Sequence, residues 1–478
     1  MDKLPQEIFD HVVSYIYLDR PIVAAISRKF QHAVERLAFR CLYIDTTDEE
    51  LGRFERILTP RRFGSLRKLT ITVVLPSYPP ESFGEYETDE DRRANSAVAT
   101  ATLRRLFGFM GSQHAGTPDE DVAPWLHLEL CSPFSPSDRV ARRFAFSSLD
   151  IASEAAAFSA LPCVRKFTIR YTERTDHAGR KWVPSTGALL TPRMPNLETV
   201  NWDLEPSHES SLYYSLSKMY RDDLSRSICS FKLPKSVNKF VCEVNDMQYA
   251  AAHRAEFDFP ADDPVSLGLR ELTKDCSYVS LKGWFGPALF ACSTDTPQGS
   301  ANSYWQNTTE LHVDVVTSGP RETPSHDLDN TAVGRALEQL APGYGATEGE
   351  RKEAEKYYDN HHDFLLGLGK APDKSRVNAL VAAFGYRCSL MPALQLATLY
   401  VGYQHDCYND SFGDWMFEAS CVAPGKSFDD GYSNTYGTDS WRVYFLGDVS
   451  KLTEVTLDAF RAIGKDGDRG PPTMVFLP

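Results

Sequence analysis

The chain has 478 residues, of which 42% are apolar and 12% aromatic, so it can bury a sizeable core. Its formal net charge of −14 argues against a nucleic-acid partner, because binding phosphates requires a cationic surface. No apolar run is long enough to span a membrane and the ten cysteines form no Cys-x-x-Cys pair, so we expect no membrane partner and a cytoplasmic or nuclear location.

Three short helices are predicted at the start of the chain. Pro5 suits the first turn of a helix, where a missing N–H has no cost. The apolar stripes are Ile8, Val12 and Ile16 in the first helix, Ile22, Ile26 and Phe30 in the second, and Ala33, Leu37 and Cys41 in the third. Because helices this short are marginal alone, we expect them to pack together as a module over residues 1–45.

This opening segment resembles an F-box. The matching segments are Leu4-Pro5-Gln6-Glu7-Ile8 and Ile26-Ser27-Arg28-Lys29-Phe30, with Phe30 where family members more often have Trp. The resemblance implies docking on the Skp-type adaptor of a cullin–RING ubiquitin ligase. The residues that it implies for the adaptor contact are Leu4, Pro5, Ile8, Ile16, Ile26 and Phe30. The alternative is that these side chains only close a core of their own.

Short alternating apolar patterns, typical of half-buried strands, recur along the rest of the chain. They lie at residues 66–73, 125–130, 164–169, 197–204, 237–244, 278–281, 311–315, 396–401, 441–446 and 452–457. Helical stripes are predicted between some of them, at 103–110, 212–220, 333–340 and 377–384. Strands that alternate with helices at spacings of roughly 30–40 residues predict a parallel sheet in a curved solenoid.

Two strands follow a common lead-in, Met194-Pro195-Asn196-Leu197 and Met391-Pro392-Ala393-Leu394, which resembles that of degenerate leucine-rich repeats. The period drifts and the repeat has no Asn or Cys ladder position, so an unrelated α/β domain is the alternative. We predict an α/β protein in which a small three-helix F-box-like module at 1–45 precedes an irregular leucine-rich-repeat-like strand–helix solenoid at 60–478. This organisation is similar to that of fungal-type F-box proteins.

Insertions are predicted at 76–95, 317–330, 342–375 and 403–440, which are polar, charged or rich in glycine. Insertions in a repeat scaffold often lie on its binding face, and aromatic side chains often anchor interfaces. The last insertion is rich in aromatic residues, although these residues could equally fill the core. The predicted target-binding residues are Tyr403, Tyr408, Phe412, Trp415, Tyr432 and Tyr436.

No local pattern indicates catalysis or cofactor binding. Pro424-Gly425-Lys426-Ser427 resembles the end of a phosphate-binding loop, but Ser420 stands where that loop requires glycine. His361 and His362 are adjacent and cannot share the helical face that paired metal ligands need. We therefore predict no catalytic residue, no metal and no cofactor.

Together these patterns predict a non-catalytic substrate-recognition subunit of an SCF-type ubiquitin ligase, which presents an unknown protein target for ubiquitin-dependent degradation. Two alternatives stay open: a hydrolase-like α/β enzyme with a dispersed active site, and a recognition scaffold with no link to ubiquitin. The exposure of Ile8, Ile16, Ile26 and Phe30 in the folded chain bears on this choice, because a docking surface has to be accessible.

Overall fold

The computed structural model describes residues 5–16, 20–82, 87–115, 125–137, 148–151, 154–170, 180–204, 214–244, 263–290, 304–316, 374–402, 416–426, 439–447, 452–464 and 471–477. Within these residues the chain is mixed α/β, with 11 helices and mostly parallel strands, which confirms the predicted class. It forms two compact units, Met1–Asp203 with Pro234–Val237 (unit 1) and Leu204–Leu233 with Asn238–Pro478 (unit 2).

Unit 1 begins with three helices, α1 (Gln6–Ser14), α2 (Arg20–Ile26) and α3 (Arg28–Ala38). Pro5 directly precedes α1, and the Ser27 hydroxyl caps α3 by accepting the Phe30 N–H at 3.4 Å. The third helix was predicted to continue to Cys41, which is wrong. Cys41 begins strand β1 (Cys41–Asp45), because the Arg40 carbonyl already accepts backbone N–H groups from the start of the next strand.

The parallel strands of unit 1 are neighbours in the order of the sequence: β1, β2 (Lys68–Thr72), β3 (Leu126–Cys131), β5 (Val164–Arg170) and β7 (Thr199–Asp203). Two short strands, β4 (Ser148–Leu149) and β6 (Lys181–Trp182), form a separate parallel pair. The remaining helices of this unit are α4 (Asp48–Ile57), α5 (Pro60–Phe63), α6 (Asp89–Ala115) and α7 (Ser185–Leu190).

Unit 2 repeats the parallel, sequential pattern and then departs from it. Strands β8 (Lys239–Val244), β9 (Tyr278–Gly283), β10 (Glu310–Val316) and β11 (Leu396–Gly402) are parallel neighbours. Strand β12 (Met416–Val422) is antiparallel to β11 and to β13 (Arg442–Gly447), and β14 (Thr473–Leu477) is parallel to β13. The helices of this unit are α8 (Tyr214–Ser230), α9 (Pro264–Thr273), α10 (Lys374–Ser389) and α11 (Glu454–Arg461).

The alternating patterns locate most strands correctly. In β8, for example, Phe240, Cys242 and Val244 are buried, while the residues between them are partly exposed. One strand prediction is wrong, because residues 452–457 include the first turn of α11. The Thr453 hydroxyl accepts the Thr456 N–H at 3.3 Å and caps that helix, and Val455 is 74% exposed.

The helical stripes at 103–110 and 377–384 lie on α6 and α10, with their apolar side chains buried. The helix predicted at 333–340 and the insertion at 317–330 lie outside the described residues. In the insertion predicted at 403–440, the structure places β12, and α6 begins within the one at 76–95. Of the insertion at 342–375, only the first two residues of α10 are described.

Most of the described cysteines are free and buried. Burial raises the pKa of Cys163 and of Cys276 to about 12, so both thiols stay protonated at neutral pH. Such thiols act as small apolar side chains. No helix in the described part of the chain is both long and apolar enough to cross a membrane.

The packing of α10 on α11 depends on a glycine. A Cβ atom at Gly385 would lie 2.9 Å from ring carbons of the buried Phe460. We expect Gly385→Ala to destabilise unit 2 by about 1–3 kcal/mol, because the ring has to move within a packed core. The measurement is the urea unfolding midpoint. Gly52→Ala in α4, where no atom lies within 4 Å, is the control and should stabilise by about 0.4–1 kcal/mol. Equal midpoints for the two variants would contradict this account.

A histidine on β3 should make stability fall in mild acid. His127 Nε2 lies 2.9 Å from the Thr168 Oγ1, and burial, followed by the positive charge of Lys166, lowers the pKa of His127 to about 4. Between about pH 6.5 and 4 the unfolded chain therefore binds a proton that the folded chain does not, so stability is lost as pH falls through this window.

The contribution of this residue should be about 1–2 kcal/mol by pH 5. We expect His127→Gln to lose less stability than the wild type between pH 7 and pH 5, as measured by the shift in urea midpoint. An identical shift in both proteins would show that another group is responsible.

Candidate functional site

The three N-terminal helices form a small core of their own. Its buried members are Phe9, Val13, Val23, Ala33 and Val34, and Ile16, Ala24, Phe30 and Leu37 pack against them. The rings of Phe9 and Phe30 meet edge to face, with centroids 4.8 Å apart. The inner faces of these helices are therefore already occupied.

The same helices also carry apolar side chains that point away from this core. On α1, Ile8 is 46% and Val12 44% exposed, and Tyr15, which caps the end of α1, is 69% exposed; on α2, Ile22 is 67% and Ile26 60% exposed. Residues 8, 12 and 15 recur at helical spacing, as do 22 and 26, so each helix presents one apolar stripe. We call these five side chains the docking stripe.

The concentration of these side chains is what distinguishes the site. Single exposed apolar residues are normal on protein surfaces and need no explanation. Among the described residues, the other large apolar side chains that are exposed are Tyr43, Trp125, Tyr386, Val455 and Phe476, each in a different element or loop. Half of the exposed set thus lies between Ile8 and Ile26.

Polar contacts hold the helices together around this surface. Gln6 Nε2 donates to the Lys29 carbonyl at 3.0 Å, and Arg36 forms an ion pair with Asp10 at 3.0 Å, so both contacts fix α1 on α3. Glu35 accepts a hydrogen bond from Arg62 at 2.7 Å, which ties α3 to α5. These contacts orient the stripe without contributing a charged residue to it.

The Glu35 contact also has an electrostatic signature. Burial on its own would raise the pKa of Glu35, but the hydrogen bond and positive charge of Arg62 more than compensate and hold this pKa below its ordinary value. The carboxylate is therefore ionised at neutral pH and remains a stable anchor for α3.

The structure divides the predicted adaptor-binding residues. Pro5, Ile8 and Ile26 are exposed, whereas Ile16 and Phe30 pack against the three-helix core. Leu4 lies outside the described residues. The sequence prediction assigned no contact to Val12, Tyr15 and Ile22, although the spacing of Val12 and Tyr15 from Ile8 carries the signal.

The six predicted target-binding residues lie outside the described part of the chain, at Tyr403, Tyr408, Phe412, Trp415, Tyr432 and Tyr436. The same holds for the adjacent histidines His361 and His362. Across the described residues, no group of three or more His, Cys, Asp or Glu side chains could hold a metal ion. The arrangement that stands out chemically is the docking stripe, which can bind an apolar partner surface.

No protein-family model matches the chain, and none of the curated proteins is significantly similar to it in sequence.

Neighbouring residues on α1 should differ sharply in their effect on folding. We expect Phe9→Ala to destabilise the three-helix core by about 3–5 kcal/mol, because it removes a buried ring and leaves a cavity. Ile8→Ala should cost less than about 1 kcal/mol, because that side chain is already half exposed.

Hydrogen exchange followed by mass spectrometry over residues 5–38 measures both effects. Loss of amide protection in Phe9→Ala and its retention in Ile8→Ala is the expected result. Equal loss in both variants would mean that Ile8 belongs to the core.

Proposed function

We propose that this chain is a non-catalytic substrate-recognition subunit of a cullin–RING, SCF-type ubiquitin ligase. In this proposal the docking stripe binds the Skp-type adaptor, through which the chain reaches the cullin, and the strand–helix body binds a protein target. The observation that carries the proposal is that α1 and α2 complete a core with α3 and still expose five large apolar side chains.

The size of the stripe is suited to a protein interface. Full burial of a large apolar side chain contributes about 1.5–3 kcal/mol, so covering the five partly exposed side chains of the stripe contributes on the order of 5 kcal/mol. Association itself costs at least about 4 kcal/mol in lost translational and rotational freedom. The stripe therefore supplies the apolar centre of an interface, and each of its members matters for the affinity.

The order of the strands supports a repeat-built body. In β1–β3, β5 and β7 of unit 1 and in β8–β11 of unit 2, each parallel strand lies beside the next one in sequence. A doubly wound enzyme reverses its strand order at a switch point, and its ligand binds there. Within these described strands the order does not reverse, which favours a leucine-rich-repeat-like solenoid that binds a target along its length.

The proposed role requires no chemistry from this chain. A receptor that holds a target close to a charged ubiquitin-conjugating enzyme raises the effective concentration of the target lysines, and the transfer becomes effectively intramolecular. The proposal places the protein in the cytoplasm or the nucleus. Its residues contribute through binding alone.

The proposal is tested by charge substitutions in the docking stripe of the full chain. We expect Ile8→Asp combined with Ile26→Asp to reduce binding to a purified Skp-type adaptor by at least about a hundredfold, because two carboxylates would be desolvated in an apolar interface. Isothermal titration calorimetry measures the affinity. These positions are preferred to Phe30, whose ring packs against the core.

Val455→Asp is the matched control, since Val455 is also an exposed apolar residue on a helix but lies in α11. It should leave adaptor binding unchanged. If the double variant binds the adaptor as well as the wild type, or if the wild type does not bind it, the ligase proposal is wrong. A scaffold with a different partner for the stripe would then be the better account.

A further inference from the structure

The parallel strands of unit 2 place a row of polar side chains across one face of their sheet. On β8, β9 and β10 the residues Phe240, Leu281 and Val313 point into the core, and the residues that alternate with them point to the opposite face. The strand register aligns three of the latter with Tyr400 of β11 in one row, which we call the carboxylate row: Glu243, Lys282, Asp314 and Tyr400.

The charges in the carboxylate row do not balance. Adjacent strands lie about 4.8 Å apart, so Lys282 stands between two acids. The Lys282 Nζ lies 2.6 Å from the Glu243 Oε1, so Lys282 forms its ion pair with Glu243. Among the described residues, no hydrogen bond or ion pair reaches the Asp314 carboxylate.

The environment of Asp314 disfavours its charge. Burial raises the pKa of Asp314, and although Lys282 opposes this effect, the pKa stays above its ordinary value. A cation bound next to such a partly buried carboxylate stabilises its charged form. The Asp314 carboxylate is therefore suited to bind a positively charged ligand.

The adjacent row of side chains on the same face, which includes Ser280, His312 and Thr398, does not supply that cation. His312 Nδ1 lies 2.8 Å from the Thr398 Oγ1, and burial lowers the pKa of His312, so the ring is neutral at pH 7. Further along the face, the Lys239 Nζ lies 3.9 Å from the centroid of the Tyr278 ring. Counting Glu310, the described residues of β8–β11 place three carboxylates and two lysines on this face, and Glu418 of β12 lies beside Tyr400, which leaves an excess of negative charge.

We propose that the carboxylate row binds a basic segment of a protein, with a lysine or arginine side chain placed on Asp314. An anionic ligand would meet three carboxylates, and a lone carboxylate provides too few ligands for a metal ion. A guanidinium or ammonium group supplies the missing charge through charge-assisted hydrogen bonds. The inference rests on the proposed function only in identifying this segment as part of the ubiquitination target.

A peptide-display selection tests the proposal. A random peptide library is selected against the full chain, its Asp314→Asn variant and an Asp45→Asn control. Asp45 is a strand carboxylate in unit 1 whose pKa is also raised by burial, but it lies beside Glu50. We expect the wild type and the control to enrich peptides that contain lysine or arginine, and Asp314→Asn to lose this enrichment.

The affinities of the wild type and the variants are then measured with the most strongly enriched peptide. Loss of a charge-assisted hydrogen bond predicts binding to Asp314→Asn that is about ten- to a hundredfold weaker, and binding to Asp45→Asn within about twofold of the wild type. Replacing the basic residue of the peptide by glutamine leaves the protein unchanged, so this second measurement does not depend on how the variant folds. It should weaken binding to the wild type by the same factor, with no further loss in Asp314→Asn.

Absence of basic enrichment, or equal affinities of the wild type and Asp314→Asn for the selected peptide, would overturn the inference. A glutamine substitution that does not weaken wild-type binding would overturn it as well. The Ile8→Asp, Ile26→Asp variant should select the same peptides as the wild type, because it leaves the carboxylate row intact. A failure of adaptor binding and a failure of the carboxylate row to bind basic peptides can therefore be distinguished.

Discussion

A nine-residue helix with apolar side chains on two faces can cover only one of them with a small core. In α1 the pair Phe9 and Val13 is buried among the three N-terminal helices, while Ile8 and Val12 remain exposed on the side away from it. The angle between consecutive residues on a helix is about 100°, so neighbours in sequence must point in different directions. Both faces of α1 can be desolvated only if a second surface covers Ile8 and Val12.

This constraint explains what the sequence could and could not predict about the site. The spacing of Ile8, Val12 and Ile16 suggested a single apolar stripe, but α1 ends at Ser14, and Ile16 turns back to pack against the core. Phe30 fits the motif by position, yet its ring contacts Phe9. Periodicity identifies which residues share a helical face. It does not reveal which of two apolar faces meets the rest of the chain, because that depends on how three helices pack together.

The strands show the same division between local and tertiary information. Alternation predicted the strands at Lys68–Thr72 and Leu396–Gly402, because one face of each strand is buried and the other is not. Residues 452–457 alternate in the same way and yet begin a helix, since a threonine cap and a buried Phe460 decide the outcome there. Strand β1 follows α3 so closely that its apolar residues extend the helical pattern. Its pairing with β2, a contact between distant residues, determines its conformation.

A half-buried carboxylate on a sheet face is not in itself a sign of binding, and the two units show why. In unit 1, Glu129 is almost fully buried on the polar face of β3, but Lys68 Nζ lies 2.7 Å from its carboxylate and neutralises it. A buried acid with its own cation stabilises the fold only if both partners stay in place, and an external cation would gain little there. In unit 2 the corresponding lysine, Lys282, forms its ion pair with Glu243, and among the described residues no ion pair reaches Asp314. Whether a carboxylate on a sheet face is neutralised within the fold thus depends on whether the neighbouring strand supplies the counter-charge, and strand register determines this.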